Sequence, residues 1–291
     1  MDYLLIQATR DKTSMGLLRT IGLVILAILI LAPIILVTTS IIITLTHQGN
    51  NTTIQPQSPP QQPTSGLAKI TNSPAGLGYT GPPTTAIAGY YCISNIQPQT
   101  YSIQLNAQLS NGYWIQDVWA MQPSGFTGFI TAVWVPGTCT TEANGIVCNM
   151  NPTIYGNPYT GATCAWLVIA IRNGIAYFGY SLDGVNVDWY YSYPVGNVTI
   201  VTNAGDVLTN LVLAGPGANQ YSTDITSANV VLALYYWNGT AWLPAPSTTH
   251  VGGTTEYVSN AWLYWNNNKA VVSWPQSINE TPSVPAPGFK P

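Results

Sequence analysis

Few residues in this chain are equipped for chemistry, and the shortage narrows the reading. Of 291 residues, 10 are Asp or Glu and 2 are His. His250 is the one His of the region that reads as folded, and no Gly-x-Ser-x-Gly occurs, so a nucleophile–His relay has no partners. Gly215–Pro216–Gly217 lacks the strand-to-helix context of a phosphate loop. Carboxylates and amides remain. Glu142 lies between two cysteines, Glu280 in a Pro-rich tail, and Asp183 in an Asp-Gly turn, where the residue type serves the backbone. Asp117, Asp188 and Glu256 fall in or beside aromatic-rich segments, where burial would raise a carboxyl pKa and prepare it for general acid or base work. Asp117 also follows an amide, Gln116. Side chains alternate along a strand, so Gln116 shares a face with Trp114 and Val118, and Asp117 with Ile115 and Trp119.

These residues sit on a pattern that is β throughout. Ser102–Met121 alternates apolar and polar residues on both sides of Asn111–Gly112, a strong hairpin signal. Further candidate strands run from Gly128–Val135 to Ala270–Trp274, divided by turn pairs such as Asn173–Gly174, Asp183–Gly184 and Asn238–Gly239. Short strands with regular turns predict an all-β sandwich or barrel; residues 86–274 suit a large antiparallel β-sandwich of two sheets, each of about five or six strands. Residues 1–19 hold Arg10, Lys12 and Arg19, and residues 20–46 are uncharged and longer than the roughly 20 residues that span a bilayer. A cleaved leader would have an apolar core of about 7–15 residues. The expectation is a single transmembrane helix acting as an uncleaved anchor, N-terminus cytoplasmic and the rest extracellular at the plasma membrane. Residues 47–85, rich in Gln, Pro and Thr, read as a stalk, and residues 275–291 as a Pro-rich tail.

Composition excludes some functions and favours a compartment. Charged residues are 6% of the chain, against roughly 25% in ordinary soluble domains, while 10 Trp and 18 Tyr exclude disorder. Polar groups that do not titrate in acid leave little for acid to disrupt, which fits an acidic exterior. A net charge of -3 offers no basic patch for nucleic acid. Cys92, Cys139, Cys148 and Cys164 match no zinc spacing and imply two disulfides with three possible pairings; Cys139–Cys148, closing a loop around Asn144–Gly145, leaves Cys92–Cys164. Asn50, Asn51, Asn197, Asn238 and Asn279 head glycosylation sequons. No cofactor or metal is expected.

The segments SIQLNAQLSNGYWIQDVWAM, AYFGYSLDGVNVDWYY, LVLAGPGANQYSTDITSANVVLALYYWNGTAWLPAP and HVGGTTEYVSNAWLYW resemble, in order, successive segments of the thermopsin family. Its members are acid proteases secreted or displayed by thermoacidophilic archaea. The resemblance implies peptide-bond hydrolysis at low pH on a β-rich fold, without metal or cofactor. The chain lacks the Asp-Thr-Gly and Asp-Ser-Gly signatures of pepsin-like enzymes. By analogy with the fungal glutamic peptidases, also β-sandwiches, Glu256 would activate water and Gln116 would stabilise the oxyanion; Asp117 substitutes if two carboxyls share a proton. Two positions depart from the family pattern: Gln220 stands where an acid follows the Gly-rich turn, and the Tyr190–Gly196 segment YYSYPVG has no acid after its tyrosines. If either acid is catalytic, the chain is a surface protein without activity, for adhesion, carbohydrate binding or envelope structure.

Overall fold

A computed structural model describes residues 65–142, 145–202, 207–217, 222–249, 251 and 256–291, with the side chains of 138–151 outside that description. The expected membrane anchor, Asn50, Asn51 and both His residues lie outside the described residues. Among the described residues no helix is long and apolar enough to cross a membrane.

The described chain is all-β. One sheet has nine strands: β1 (Ser65–Ile70), β18 (Ala261–Asn266), β19 (Lys269–Trp274), β14 (Ser227–Trp237), β3 (Ala86–Gln97), β8 (Cys164–Arg172), β9 (Ile175–Ser181) and β10 (Asp188–Pro194) in that order, with β15 (Trp242–Pro244) on β14. The other has eight: β16 (Ser247–Thr248), β2 (Ala75–Tyr79), β12 (Asn210–Ala214), β4 (Tyr101–Leu109), β5 (Trp114–Met121), β6 (Thr127–Glu142) and β7 (Gly145–Pro158), with β11 (Ile200–Val201) on β4. Every pairing within these two sheets is antiparallel. A short parallel pair, β13 (Ser222–Asp224) and β17 (Tyr257–Ser259), stands apart from both.

The sheets face each other across one core, to which Leu77, Leu105, Ile115 and Leu211 contribute from the smaller sheet and Ile87, Leu167, Phe178, Leu232 and Val272 from the larger. Alternation along β4 places Tyr101, Ile103, Leu105, Ala107 and Leu109 inward. The Asn111–Gly112 turn forms as expected, in a four-residue loop: Gly112 N–H donates to the Leu109 carbonyl at 2.9 Å, and Gly112 takes a φ of 87° that an L side chain resists. Cys92 and Cys164 face each other on β3 and β8 and are disulfide-bonded. Cys139 and Cys148 are opposite each other in the β6–β7 backbone register, but their side chains fall outside the description.

Three expectations change. The sheets carry nine and eight strands rather than about five or six each. The stalk does not extend to residue 85, because Ser65–Ile70 pairs with β18 and Ala75–Tyr79 with β12. The sequence AGLGY reads as a loop because of its glycines. Gly76 is there for space: a Cβ would lie 2.1 Å from the Leu211 carbonyl oxygen. The Pro-rich tail is also not free. Val284 and Phe289 are buried against Trp166, Tyr235 and Trp242 on the outer face of the larger sheet. The Tyr235 hydroxyl donates to the Val284 carbonyl at 2.7 Å, and Trp242 Nε1 to the Phe289 carbonyl at 2.8 Å. Two apolar residues five apart give no periodic signal, so the burial is invisible in the sequence.

A chain starting at residue 65 should therefore keep one cooperative thermal transition by circular dichroism. A chain starting at residue 86 should lose it. Leu77 and Tyr79 are fully buried, and each is worth about 1.5–3 kcal/mol of apolar burial.

Candidate functional site

The outer face of β4 and β5 holds the site. Ser102, Gln104, Asn106 and Gln108 alternate with the core residues of β4, a pattern that reads as a solvated face, yet all four are buried. Such burial is tolerable only with complete hydrogen bonding. The partners are mostly other side chains. Gln116 Nε2 donates to Asn106 Oδ1 at 2.9 Å and to Gln104 Oε1 at 3.4 Å. Asn106 Nδ2 donates to Asn210 Oδ1 at 2.8 Å, and Gln104 Nε2 to Ser102 Oγ at 2.9 Å, which donates to the Gly215 carbonyl at 2.6 Å. Trp134, from β6, donates its Nε1–H to Gln116 Oε1 at 2.7 Å. The Gln116 carboxamide is thus held at both ends, its oxygen by an indole and its nitrogen by two carbonyls.

Beside this network lies a groove of about 350 Å3. Gln104, Gln116 and Gln122 supply its amides; Val118, Ile130 and Ala132 form apolar floor, and exposed Ile154 of β7 an apolar wall. Glu256, immediately before β17 and its parallel pairing with β13, also lines the groove. Its Oε1 passes 3.7 Å from the Cβ that Gly217 lacks, and Gly217, at φ 68°, occupies backbone space that favours glycine. Gln116 and Glu256, far apart in sequence, therefore line one concave surface.

Asp117 is not part of that surface. It points into the core and has no exposed area. The Tyr190 hydroxyl, from β10, donates to Asp117 Oδ1 at 2.5 Å, and the Val168 backbone N–H, from β8, to Oδ2 at 3.1 Å. Thr131 Oγ1 in turn donates to the Tyr190 hydroxyl at 2.9 Å. Burial pushes the Asp117 pKa up to about 8, against the opposing pull of the Tyr190 hydroxyl and the backbone N–H groups. At acid pH the carboxyl is neutral.

The remaining candidates are solvent-facing. Asp188 and Glu280 are exposed. Asp183 accepts backbone N–H bonds from Val185 and Asn186, both at 2.8 Å, which hold its pKa below the ordinary range, as a turn-forming Asp should behave. Asn197, Asn238 and Asn279 are exposed, as a glycan acceptor must be. No group of three or more His, Cys, Asp or Glu that could hold a metal gathers among the described residues. Gln104, Asn106 and Trp134 went unrecognised in the sequence; the signal that could have found them is the run of amides at every second position of β4. Set against known proteins, the chain matches no protein-family model and no curated protein.

Asp117 sets a pH dependence of stability. Its folded pKa lies above the value of about 3.9 expected unfolded, so its contribution is fully present below about pH 4 and is lost as pH rises towards 8. Within that window the loss is about 1.4 kcal/mol per pH unit. Denaturant unfolding at pH 4, 6 and 8 should show falling stability, and Asp117→Asn, which mimics the neutral acid, should flatten the slope. An unchanged slope in the variant would assign the effect elsewhere.

Proposed function

We propose that the chain is a thermopsin-like acid endopeptidase, displayed outside the cell on a membrane anchor at residues 20–46, with the groove as its active site. The observation that carries the reading is the convergence of Gln116 and Glu256 on one concave surface. An activated water and an oxyanion donor must flank the same scissile carbonyl, and these residue types are able to fill the two roles. In this mechanism the Glu256 carboxylate removes a proton from water as the water oxygen bonds to the carbonyl carbon. The carbonyl π electrons move to its oxygen, which accepts a hydrogen bond from Gln116 Nε2. The proton passes from Glu256 to the amide nitrogen, the C–N bond breaks, and carboxylic acid and amine leave. Trp134 and Asn106 hold the Gln116 carboxamide so that its nitrogen, not its oxygen, serves as the donor. The weaker 3.4 Å contact to Gln104 is the one a substrate oxygen would displace. The ordered resemblance to thermopsins and the scarcity of titrating groups support the same reading.

A specific observation favours a second reading. Both ends of the Gln116 carboxamide are already engaged, and Glu256 is the one carboxylate lining the groove among the described residues. A groove of amides and a tryptophan, Trp134, without a second acid among its described lining suits a binding protein that holds neutral polar ligands such as glycans.

The two are separated by incubating the ectodomain with a denatured protein at about pH 2–4, where carboxyl groups titrate. Cleavage is expected, with Glu256→Gln inactive and Gln116→Ala reduced about 10²–10³-fold in kcat, the usual loss for one oxyanion donor. Glu256→Gln should melt within a few degrees of the native protein, whereas Gln116→Ala strips Trp134 and Asn106 of a partner and is assayed below its own, lower melting temperature, so that lost activity is not lost fold. No cleavage, with glycan binding that survives Glu256→Gln, would establish the binding protein instead.

A further inference from the structure

The outer face of the larger sheet holds a second cavity, of about 450 Å3, which shares no lining residue with the groove. Tyr90 of β3 and Trp166 of β8, opposite each other in register with ring centroids 5.1 Å apart, line it together with the turn after β9 and part of the C-terminal segment. The Gly288 N–H donates to the Gly184 carbonyl at 2.7 Å and ties that segment to the turn. Leu182 and Val185 of the turn also line the cavity yet are 49% and 61% exposed, so apolar surface continues from the cavity into solvent.

The same face already holds a proline-rich stretch. Residues 282–291 read PSVPAPGFKP, and Val284, Pro287 and Phe289 among them are buried. The Tyr235 hydroxyl and Trp242 Nε1–H each donate to one of the backbone carbonyls of that stretch. Proline-rich chains are held this way in general, because their carbonyls find no partner within the chain and an aromatic-lined groove can supply one. Trp166 is a third donor of this kind, and it holds no carbonyl. The residue is 5% exposed, and its contacts are with the rings of Tyr90, Tyr235 and Phe289. Among the described residues the enclosed side-chain nitrogens without an acceptor are Trp119 Nε1 and Arg172 Nε, so the Trp166 Nε1–H, which also completes no hydrogen bond, is open. It lies beside Gly184, whose missing Cβ would stand 3.2 Å from it, and Gly184 lines the cavity. The lining carries one charge, the exposed carboxylate of Asp183, which its hydrogen bonds from Val185 and Asn186 keep ionised in acid.

We propose that this cavity docks an extended proline-rich segment of a partner protein, with a basic residue beside its prolines. One backbone carbonyl of the segment accepts from Trp166 Nε1, the prolines pack on Tyr90, Leu182 and Val185, and the basic side chain lies by Asp183. The site continues the surface that residues 282–291 occupy, and it uses the same kind of donor. Its volume falls within the roughly 300–1,000 Å3 of ligand pockets, room for a few residues rather than a folded domain.

The test is fluorescence anisotropy of labelled peptides with the full chain, together with ¹H–¹⁵N NMR of the Trp166 indole. The probes are Lys-Pro-Pro-Ala-Pro-Pro, Glu-Pro-Pro-Ala-Pro-Pro, Lys-Gly-Ser-Ala-Gly-Ser and a peptide of the chain's own residues 281–291, at about pH 6, where Glu is charged. The Lys-Pro peptide should bind saturably, shift the Trp166 resonance and bind about tenfold more tightly than the Gly-Ser peptide, which loses more freedom on binding. Trp166→Phe should weaken it about tenfold, the worth of roughly one hydrogen bond. The Glu-Pro peptide should bind less tightly than the Lys-Pro peptide, and Asp183→Asn, which keeps a turn-forming side chain, should erase that difference. No saturable binding, equal affinity for the Lys-Pro peptide and either control, or full affinity in Trp166→Phe overturns the proposal. So does binding of the 281–291 peptide alone, which would assign the cavity to a second copy of the chain. Should Trp166→Phe fail to fold, the double variant Leu182→Ser/Val185→Ser decides in its place: both residues are exposed, so the fold should stand while the affinity falls.

Discussion

Polar side chains survive inside a β-sandwich when they find hydrogen-bond partners, and Gln116 and Asp117 do so on opposite faces of strand β5. Gln116 points outward into a layer of amides, and Asp117 points inward between the sheets. Their partners come from every side: Asn106 and Gln104 on β4, Trp134 and Thr131 on β6, Val168 on β8 and Tyr190 on β10. A slip of one residue in the β4–β5 register would exchange the two faces. It would set the amide against the core and the carboxyl against other amides, leaving both sets unsatisfied. The polar pair therefore fixes the register as strictly as the apolar residues do. The groove inherits its geometry from that constraint, because Gln116 is a member of the network rather than a side chain placed upon it.

The sequence revealed the strands better than it revealed what covers them. Alternation on both sides of Asn111–Gly112 locates β4 and β5, and Ala270–Trp274 falls on β19, within a residue or two. The edges were less legible. β1 and β2 contain glycines that make room, Gly66 for the Trp265 ring and Gly76 for the Leu211 backbone, and Val284 and Phe289 bury single side chains without a pattern. Around Trp166 the larger sheet is packed on one face by the inter-sheet core and on the other by this C-terminal segment, which is why Trp166–Ile171 is buried without alternation. For the site, residue types narrowed the candidates, and the analogy with the glutamic peptidases paired Gln116 with Glu256. Their meeting rests on the short parallel pair β13–β17, which no local period announces. The Asp117 partners are equally remote, with Tyr190 lying 73 residues away.

The scarcity of charge gains a physical meaning from these two environments. An amide network keeps its donors and acceptors at any acid pH, since carboxamides and indoles do not titrate there. A groove lined by Gln104, Gln116 and Trp134 and backed by buried Asn106 therefore keeps its shape where one held by ion pairs would lose its carboxylates. The buried carboxyl works in the same direction. Most acid-sensitive proteins hold carboxylates that must stay ionised, whereas Asp117 is held in a site that prefers its neutral form. Acid thus leaves the amide network unchanged and favours the neutral carboxyl in the core beneath it, through the same strand that carries the proposed oxyanion donor.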